Sequence, residues 1–364
     1  MRKMALVLQG GGALGAYEYG VVTKLVDMGW EPVAVTGVSI GAVNAAAVAG
    51  AKGGDIKASL KAVWDAITLD TLPFWPESMQ GNLSLLGNPH FWRSRTDYLQ
   101  MASWDSLCDT GPMYATLARH LDFDQINDPN HMRVAVTATS LQTGGPTTFS
   151  NHLAHGAHRR SDSLHAVQRT LTPAHIMASG ALPPGFPPVT IDDCAYWDGG
   201  LFSNTPLDAL LNMLHEDEID SLPIFTIDLF ATRNLPLPQN LLEVQTRALA
   251  LQYENRFWAE YGGEAGPAGF TAMLKQLMRE LPADSTLRQD PFQHPENTAA
   301  SAWQWLQRLR ALANVHVIEG APAAAGGDHD FSRYAVDRAY EAGRAAAGHF
   351  APSEVQQPKL RAVA

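Results

Sequence analysis

Apolar and polar residues alternate in blocks that predict strands and helices in turn over the first fifty residues. Met4–Leu8 is an apolar run of strand length, and the glycine-rich stretch Gly10–Gly15 then opens a helical pattern that continues to about Met28. Pro32–Val38 is a second apolar run, and a helix of small residues, Ala42–Ala51, follows it. Strands that alternate with helices in this way are typical of a parallel α/β sheet.

The pattern changes between Trp64 and Trp104, where aromatic residues are interleaved with proline and glycine. This stretch predicts a loop-rich aromatic insertion, which either packs as a satellite of the core or forms an acyl-binding lid that contacts lipid. Further along, the sequence predicts helices at Met113–Leu121, Pro173–Ala181 and Leu207–Leu214, strands at Arg133–Thr139, Thr147–Phe149 and Pro223–Phe230, and a polar loop at Asn151–Arg160.

Helices dominate the pattern after Pro238. The predicted helices are Leu241–Tyr261, Ala268–Leu281, Ala299–Ala313 and Ser332–Ala347, with one strand at Val315–Glu319. The apolar stripe of the first of these helices, with Leu241 and Val244, is interpreted as a packing face, with contact to a partner subunit as the alternative. We therefore expect a three-layer α/β/α protein with a mostly parallel central sheet and added C-terminal helices. The expected domains are 1–235 with the aromatic insertion at about 60–110, a helical extension at 236–350 that returns one strand to the sheet, and a flexible tail at 351–364.

Composition narrows the class of function. The 364 residues include 46% hydrophobic and 17% charged residues and carry a net charge of −11. A negative balance argues against nucleic acid as a partner. It also disfavours purely electrostatic docking on anionic lipid, although it leaves room for transient contact with a membrane surface through apolar side chains.

Cysteine usage and apolar run lengths indicate the compartment. Cys108 and Cys194 are the two cysteines, in no metal-binding or redox spacing, which suits a reducing environment. The apolar run Met4–Leu8 is too short for a signal peptide, and no run of about 18 apolar residues predicts a membrane span. A cytoplasmic location is the simplest expectation, although secretion without a signal peptide would leave no trace in the sequence.

A Gly-x-Ser-x-Gly motif, Gly37-Val38-Ser39-Ile40-Gly41, lies between the second predicted strand and the second helix. A serine on such a tight strand-to-helix turn has its hydroxyl exposed, and glycines flank it because a Cβ would crowd the turn. The helix that follows directs its positive end at the serine. Ser39 is therefore predicted to be a nucleophile for acyl transfer, supported by Gly37, Ile40 and Gly41.

Two further motifs supply the other groups that serine chemistry needs. Gly10, Gly11 and Gly12 follow a strand and open a helix, so their N–H groups are candidate donors to an oxyanion. Asp198 precedes Gly199 and Gly200 on a predicted turn, where its carboxylate is a candidate general base for Ser39. An aspartate on a turn also occurs simply because its side chain bonds its own backbone.

These motifs and several histidines also allow other interpretations. Gly10-x-Gly12-x-x-Gly15 matches the dinucleotide fingerprint, but the second strand does not end on the required acidic residue, and no Gly-Lys-Ser/Thr follows for a phosphate loop. A serine, acid and histidine triad would require a later histidine such as His329. His152, His155 and His158 recur every third residue and suggest a metal face, although the surrounding residues read as a polar loop. Neither a metal nor a cofactor is expected.

The motifs together resemble the patatin-like phospholipase family of lipid acyl hydrolases. The matching blocks, in order, are Gly10–Gly15, Gly37–Gly41, Ala178–Val189 and Asp198–Gly200, and the resemblance covers roughly residues 4–230. It implies a Ser39–Asp198 dyad and an oxyanion hole around Gly11 and Gly12. Leu14 departs from the basic residue that is frequent there, which puts a preference for charged phospholipids in doubt.

The function that the resemblance implies is hydrolysis of a carboxylic ester of a lipid, as in a phospholipase A, lipase or esterase, through an acyl-Ser39 intermediate. An acyltransferase or thioesterase on the same site is the alternative within this chemistry. A non-catalytic lipid-binding or scaffold protein is the alternative outside it. The expected partner is a lipid or ester substrate, and self-association into an oligomer stays open.

Overall fold

The structure is a computed structural model that describes residues 1–70, 87–152, 165–230, 237–239, 241–253, 266–288, 298–320, 327–352 and 355. The strands are β1 (Arg2–Leu8), β2 (Trp30–Gly37), β3 (Arg93–Ser94), β4 (Cys108–Asp109), β5 (Arg133–Ser140), β6 (Pro146–Ser150), β7 (His165–Gln168), β8 (Val189–Ile191), β9 (Cys194–Asp198), β10 (Ile224–Asp228) and β11 (Val315–Glu319).

The α-helices are α1 (Gly15–Asp27), α2 (Ile40–Ala49), α3 (Ile56–Ile67), α4 (Gly111–His120), α5 (Phe123–Ile126), α6 (Pro173–Ser179), α7 (Leu207–Leu211), α8 (Leu241–Tyr253), α9 (Gly266–Glu280), α10 (Thr298–Leu309) and α11 (Arg333–Ala347). Short 3-10 turns occur at Gly12–Leu14, Lys52–Gly54, Tyr98–Ser103, Gly199–Leu201, Thr286–Arg288 and Arg310–Asn314.

The central sheet has the strand order β11-β10-β1-β2-β5-β6-β7, with β9 added to β5 and β8 added to β9. The five strands from β11 to β5 are parallel to their neighbours. Antiparallel pairing appears only beyond β5 in this sheet, where β6 and β9 both run against β5. The predicted mostly parallel sheet is therefore confirmed.

Side chains of β1 show why helices cover both faces of the sheet. Met4, Leu6 and Leu8 join the core shared with α1, α2 and α3, whereas Ala5 and Val7 join the core shared with α7 and the C-terminal helices. Successive side chains of a strand point to opposite faces, so a strand that is apolar throughout needs cover on both. The three-layer arrangement, with helices added at the C-terminal end, follows from this pattern.

Helices α1 and α11 touch backbone to backbone. A Cβ at Gly20 would lie 2.0 Å from the carbonyl oxygen of Tyr340, and a Cβ at Gly343 would lie 2.1 Å from that of Tyr17. Each helix therefore contributes one glycine to the crossing. Because α11 follows the last strand, this contact attaches the C-terminal end of the chain to the first helix.

The start of the predicted aromatic insertion needs correction. Residues 60–67 belong to α3, and Trp64 is buried in the main core, where its indole N–H donates to Asn44. Trp92 is buried in the same core. Trp92 supports the core interpretation for its own part of the insertion, whereas residues 71–86 lie outside the described residues.

Several smaller features differ from the sequence prediction. Strands β3, β4, β7, β8 and β9 are not predicted by the sequence, because each is short and takes its place by pairing with a neighbour. The interpretation of the Leu241 stripe as a packing face is wrong for Leu241 and Val244, which are exposed. His155 and His158, the end of the predicted helix after Tyr253, and most of the tail lie outside the described residues, and the domain boundaries stay a prediction.

Helices of the described ranges include none that is both long and apolar enough to cross a membrane.

Replacement of Gly20 by alanine tests the crossing of α1 and α11. The added methyl group forces the two backbones apart, and overpacking of this kind costs about 1–3 kcal/mol of the free energy of unfolding. Urea unfolding of Gly20→Ala measures the loss. The matched control is Gly185→Ala, because a Cβ there meets only one atom, at 3.5 Å. Equal stability of the two variants would contradict the role of the crossing.

Candidate active site

Ser39 occupies the turn between β2 and α2. Its backbone has φ 54° and ψ −123°, a conformation that non-glycine residues rarely adopt. The turn closes tightly, since a Cβ at Gly37 would lie 2.1 Å from the carbonyl oxygen of Gly41. A Cβ at Gly41 would lie 2.5 Å from the carbonyl oxygen of Gln9, at the end of β1. Both glycines are therefore required where the sequence placed them.

Asp198 comes to Ser39 through the pairing of β5. The first part of β5 pairs with β2 as far as Val136, opposite Gly37. Past the end of β2, the same edge of β5 pairs with β9, which ends with Asp198 opposite Ala138. The other edge of β5 is taken by β6. Strand β9 thus runs antiparallel into the space beyond β2 and delivers its last residue to the turn that carries Ser39.

The side chain of Ser39 lies near the carboxyl group of Asp198 and lowers its pKa. Asp198 is 3% exposed, and one of its carboxylate oxygens accepts the N–H of Gly200 at 2.7 Å. Burial raises the pKa of Asp198 to about 6, and the interactions with Ser39 and Gly200 oppose that rise. The arrangement holds a carboxylate of raised basicity against a serine hydroxyl.

The backbone around Asp198 is fixed from both sides. Its N–H donates to the carbonyl oxygen of Ala181 at 3.0 Å, and its carbonyl oxygen accepts the Thr139 hydroxyl at 2.9 Å. Gly199 packs so closely on β5 that a Cβ there would lie 2.1 Å from the carbonyl oxygen of Thr137. The orientation of the carboxylate is therefore set by the sheet.

The glycine loop lies directly beside Ser39. A Cβ at Gly10 would approach the Cβ of Ser39 to 2.9 Å, so the loop and the serine are in contact. Asn204 holds Gly10 at both backbone groups, accepting its N–H and donating to its carbonyl, each at 3.1 Å. In the described part of the chain, the N–H groups of Gly11 and Gly12 have no acceptor. No described residue therefore competes with a ligand for these two donors.

The Ser39 N–H is already used by the protein. It donates to the carbonyl oxygen of Ser179 at 3.1 Å and to the Ser179 hydroxyl at 3.0 Å, and that hydroxyl donates to the carbonyl oxygen of Thr137 at 2.6 Å. Ile40, which follows Ser39, packs its side chain against Gly15. The turn is thus anchored to α6, β5 and α1.

A buried polar chain connects the glycine loop to α2. Glu18 accepts the backbone N–H of Gln9 at 2.6 Å and the side-chain amide of Asn44 at 2.9 Å, and Asn44 accepts the Trp64 indole N–H at 2.8 Å. Burial raises the pKa of Glu18 to about 8. Gln9 precedes the glycine loop, and Asn44 lies in the helix that follows Ser39. These hydrogen bonds therefore fix the position of the loop relative to the serine.

Residues beyond the glycine and serine motifs complete the walls of the site. The side chains of Leu229 and Phe230 lie 3.0 and 3.3 Å from the position of a Cβ at Gly11. Tyr253 packs on Phe230 with ring centroids 5.7 Å apart. The carbonyl oxygen of Asp328 accepts the N–H of Ala13 at 2.6 Å, so the segment after β11 holds the far end of the glycine loop.

Sequence reasoning missed Asn204, Ser179, Glu18 and Asp328. Each acts on residues far away along the chain, such as Gly10 for Asn204 and Ala13 for Asp328. No short motif carries that information. The glycine, serine and aspartate motifs were found because each one contains its own turn.

Three alternative interpretations concern a catalytic histidine, a metal site and a dinucleotide site. His329 is half-exposed beside Asp328, which raises its pKa, and no histidine of the described residues bonds Ser39 or Asp198. His152 faces His215 with ring centroids 5.2 Å apart, but the described residues form no group of three metal ligands. Glu31, the acidic residue nearest a dinucleotide pattern, is exposed at the start of β2, away from the glycine loop.

Comparison with known proteins identifies one family. A family model described as "Patatin-like phospholipase" matches residues 6–211, which is more than half of the chain. The crystal structure of VipD from Legionella pneumophila is similar, with 14% sequence identity and a TM-score of 0.39, and the match covers 96% of this chain and 67% of that one. At this TM-score the likeness carries no functional argument. No curated protein matches the chain.

Asp198→Asn tests the burial of this carboxylate. The pKa of Asp198 in the folded protein, about 6, exceeds its ordinary value of 3.8. The ionised side chain therefore destabilises the fold, by an amount that grows between about pH 4 and 6 and reaches its full size above pH 6. A difference of roughly two pKa units corresponds to about 3 kcal/mol. We expect Asp198→Asn to raise the melting temperature at pH 8, and to raise it less as the pH falls toward 4.

Thermal unfolding across this pH range measures the effect. Asp124→Asn is the matched control, because Asp124 is an exposed aspartate on α5. Equal melting temperatures of wild type and Asp198→Asn at pH 8 would show that burial of the ionised carboxylate does not lower the stability of the folded protein.

Proposed function

Since the chain belongs to the patatin-like phospholipase family of lipid acyl hydrolases, we propose that it hydrolyses carboxylic esters of lipids through an acyl-Ser39 intermediate, with Asp198 as the base. One observation supports the proposal above all others. A serine in a strained backbone conformation lies near a buried carboxylate of raised pKa, beside two backbone N–H groups that no described residue accepts. This combination meets the requirements of nucleophilic acyl transfer.

Acylation begins when Asp198 accepts the hydroxyl proton of Ser39 and the serine Oγ attacks the ester carbonyl carbon. The carbonyl oxygen becomes an oxyanion, to which the N–H groups of Gly11 and Gly12 donate. The carbon–oxygen bond to the alcohol then breaks, and Asp198 returns its proton to the departing alkoxide. The products of this step are the free alcohol and the ester of Ser39.

Deacylation repeats the sequence with water. Asp198 accepts a proton from the water molecule as the water oxygen attacks the acyl-Ser39 carbonyl, and the same backbone donors stabilise the second oxyanion. Collapse breaks the bond to the Ser39 Oγ, which regains its proton from Asp198. The fatty acid leaves, and the dyad is restored.

Burial makes a carboxylate suitable for both roles. An aspartate of ordinary pKa is a weak base toward a hydroxyl, whereas a pKa of about 6 brings Asp198 nearer the operating pH. The Gly200 N–H and the sheet hold the carboxylate in place without an orienting histidine. A dyad therefore suffices in this geometry.

The charge around the glycine loop favours esters whose alcohol part carries no net negative charge. Leu14 stands where the family frequently has a basic residue, and in the described ranges no lysine or arginine bonds Gly10–Leu14. Asp328 lies against the loop instead. An anionic head group would meet the backbone carbonyl oxygen of Asp328 here, and no lysine or arginine of the described ranges bonds the loop to balance its charge.

Replacement of Ser39 by alanine tests the nucleophile. Ser39→Ala should lose labelling by a fluorophosphonate and lose hydrolysis of short-chain nitrophenyl esters, because the attacking oxygen is gone. Asp198→Asn should lower turnover by about 100-fold or more, which is the usual effect of removing a general base. Labelling is measured by intact-protein mass.

Ser221→Ala serves as the control, because Ser221 lies on a loop distant from the site. Retained labelling of Ser39→Ala would exclude Ser39 as the nucleophile. Labelling of the wild type without release of fatty acid into water would favour an acyltransferase. No labelling but binding to lipid vesicles would favour a non-catalytic lipid-binding protein.

The pH dependence of hydrolysis provides an independent test of the base. Asp198 must be ionised to accept the serine proton, so kcat/KM should fall as the pH drops through the pKa of about 6 and level off above it. The measurement is the initial rate on a neutral nitrophenyl ester at pH 4.5 to 8.5. A profile that is flat down to pH 4.5 would contradict the raised pKa of the base.

A further inference from the structure

An apolar tip projects from the segment between β3 and β4. It consists of Tyr98, Leu99, Met101 and Leu107, whose exposed fractions are 68%, 104%, 62% and 56%. Three of these side chains lie within the single 3-10 turn Tyr98–Ser103. Soluble proteins expose single apolar residues commonly, but a group of large apolar side chains at one projecting turn marks a contact surface.

The base of the tip is attached to the candidate site. The N–H of Leu107 donates to the carbonyl oxygen of Pro184, and the N–H of Cys108 donates to that of Gly185, each at 2.9 Å. Pro184 is four residues from Gly180, where a Cβ would lie 3.9 Å from the Cα of Ser39. Four residues span at most about 14 Å. The base of the tip is therefore connected to the Ser39 turn through the short segment from Gly180 to Gly185.

Both arginines beside the tip are paired with aspartates of the protein. Arg93 pairs with Asp109 at 2.7 Å, and Arg95 pairs with Asp97 at 2.7 Å and with Asp105 at 3.5 Å. The two arginines and three aspartates, which we call the collar of the tip, have no excess positive charge, since the aspartates outnumber the arginines by one. The collar therefore does not attract an anionic surface and suits a zwitterionic one.

The aromatic residues of the tip have the chemistry of a membrane interface. Arg95 lies over the Trp104 ring at 5.0 Å, and Tyr98 packs on the same ring with centroids 5.9 Å apart. Tyrosine, tryptophan and arginine each combine an apolar body with a polar end, which places them at the level of lipid head groups. The fully exposed Leu99 extends beyond them.

A second exposed apolar pair adjoins the other catalytic candidate. Leu201 and Phe202 are exposed on the turn that directly follows Asp198–Gly200. Exposed apolar side chains are therefore connected to the site in two places, through Pro184 and Gly180 to Ser39 and directly along the chain to Asp198. A partner that covers both groups of side chains has to be apolar and has to reach the mouth of the site.

We infer that the tip inserts into the surface of a zwitterionic lipid bilayer and brings the mouth of the site onto the layer that contains the ester. A lipid surface meets three conditions together, since it is apolar below the head groups, it matches a collar without excess positive charge, and it presents the substrate. The inference rests on the proposed function for the substrate, but the attachment to lipid is a separate property of the tip. With few inserted side chains, attachment is reversible.

The double variant Leu99→Asp/Met101→Asp tests the tip. Both side chains are exposed, so the changes leave the fold intact. Hydrolysis of dioleoylphosphatidylcholine vesicles should fall by about tenfold or more, because attachment depends on buried apolar area. Hydrolysis of a soluble short-chain nitrophenyl ester should stay within about twofold of wild type, since Ser39 and Asp198 are untouched. Co-sedimentation with the same vesicles should fall in parallel.

Leu277→Asp is the matched control, because Leu277 is an exposed leucine on α9, among the C-terminal helices. Vesicles of phosphatidylglycerol form a second arm, on which wild-type binding should be weaker than on phosphatidylcholine. Stronger binding to the anionic vesicles would overturn the role of the collar.

The remaining outcomes separate this inference from the proposed function. Unchanged vesicle binding and hydrolysis by the double variant would overturn the inference while the function stands. Tip-dependent vesicle binding by a protein that hydrolyses neither ester would support the inference and overturn the function. Wild-type dimers that the double variant dissociates in sedimentation velocity, without loss of vesicle binding, would show that the tip contacts a second copy instead.

Discussion

The contact between the Ser39 turn and the end of β1 is the constraint on which the site depends. Gly41 presses against the carbonyl oxygen of Gln9, and Gly37 presses against Gly41, at distances where no Cβ fits. This contact aligns the positive end of α2, the serine and the glycine loop in one place. A side chain at either glycine would separate Ser39 from the N–H groups of the glycine loop, because the loop begins directly after Gln9, the residue that Gly41 touches.

The electrostatics of the site follow from the same close packing. Exclusion of water around Asp198 raises its pKa to about 6 and makes the carboxylate a better proton acceptor. The raised pKa of Glu18 has the same cause, but its carboxyl group accepts hydrogen bonds from Gln9 and Asn44 and so holds the glycine loop. The two buried carboxyl groups therefore differ in role, since Asp198 faces the serine and Glu18 supports the loop from behind.

The C-terminal part of the chain contributes to the site although the family match ends at residue 211. Phe230 and Tyr253 line the glycine loop and the turn of Gly200, and Asp328 bonds Ala13. The crossing of α1 and α11 at Gly20 and Gly343 attaches this part to the first helix. Substrate preference is therefore expected to depend on residues outside the matched range, whereas the dyad lies within it.

The sequence alone determined the α/β class, six of the nine described strands of the central sheet, and the motifs around Gly11, Ser39 and Asp198, because each depends on local periodicity or on a turn that glycine permits. Only the tertiary structure decided that Asp198 lies beside Ser39, because β9 adds to β5 beyond the end of β2 in a register that no local pattern encodes. It also decided the roles of Asn204 and Asp328 and the exposure of Leu99. Those properties are set by which distant segments pack together and which residues that packing leaves uncovered.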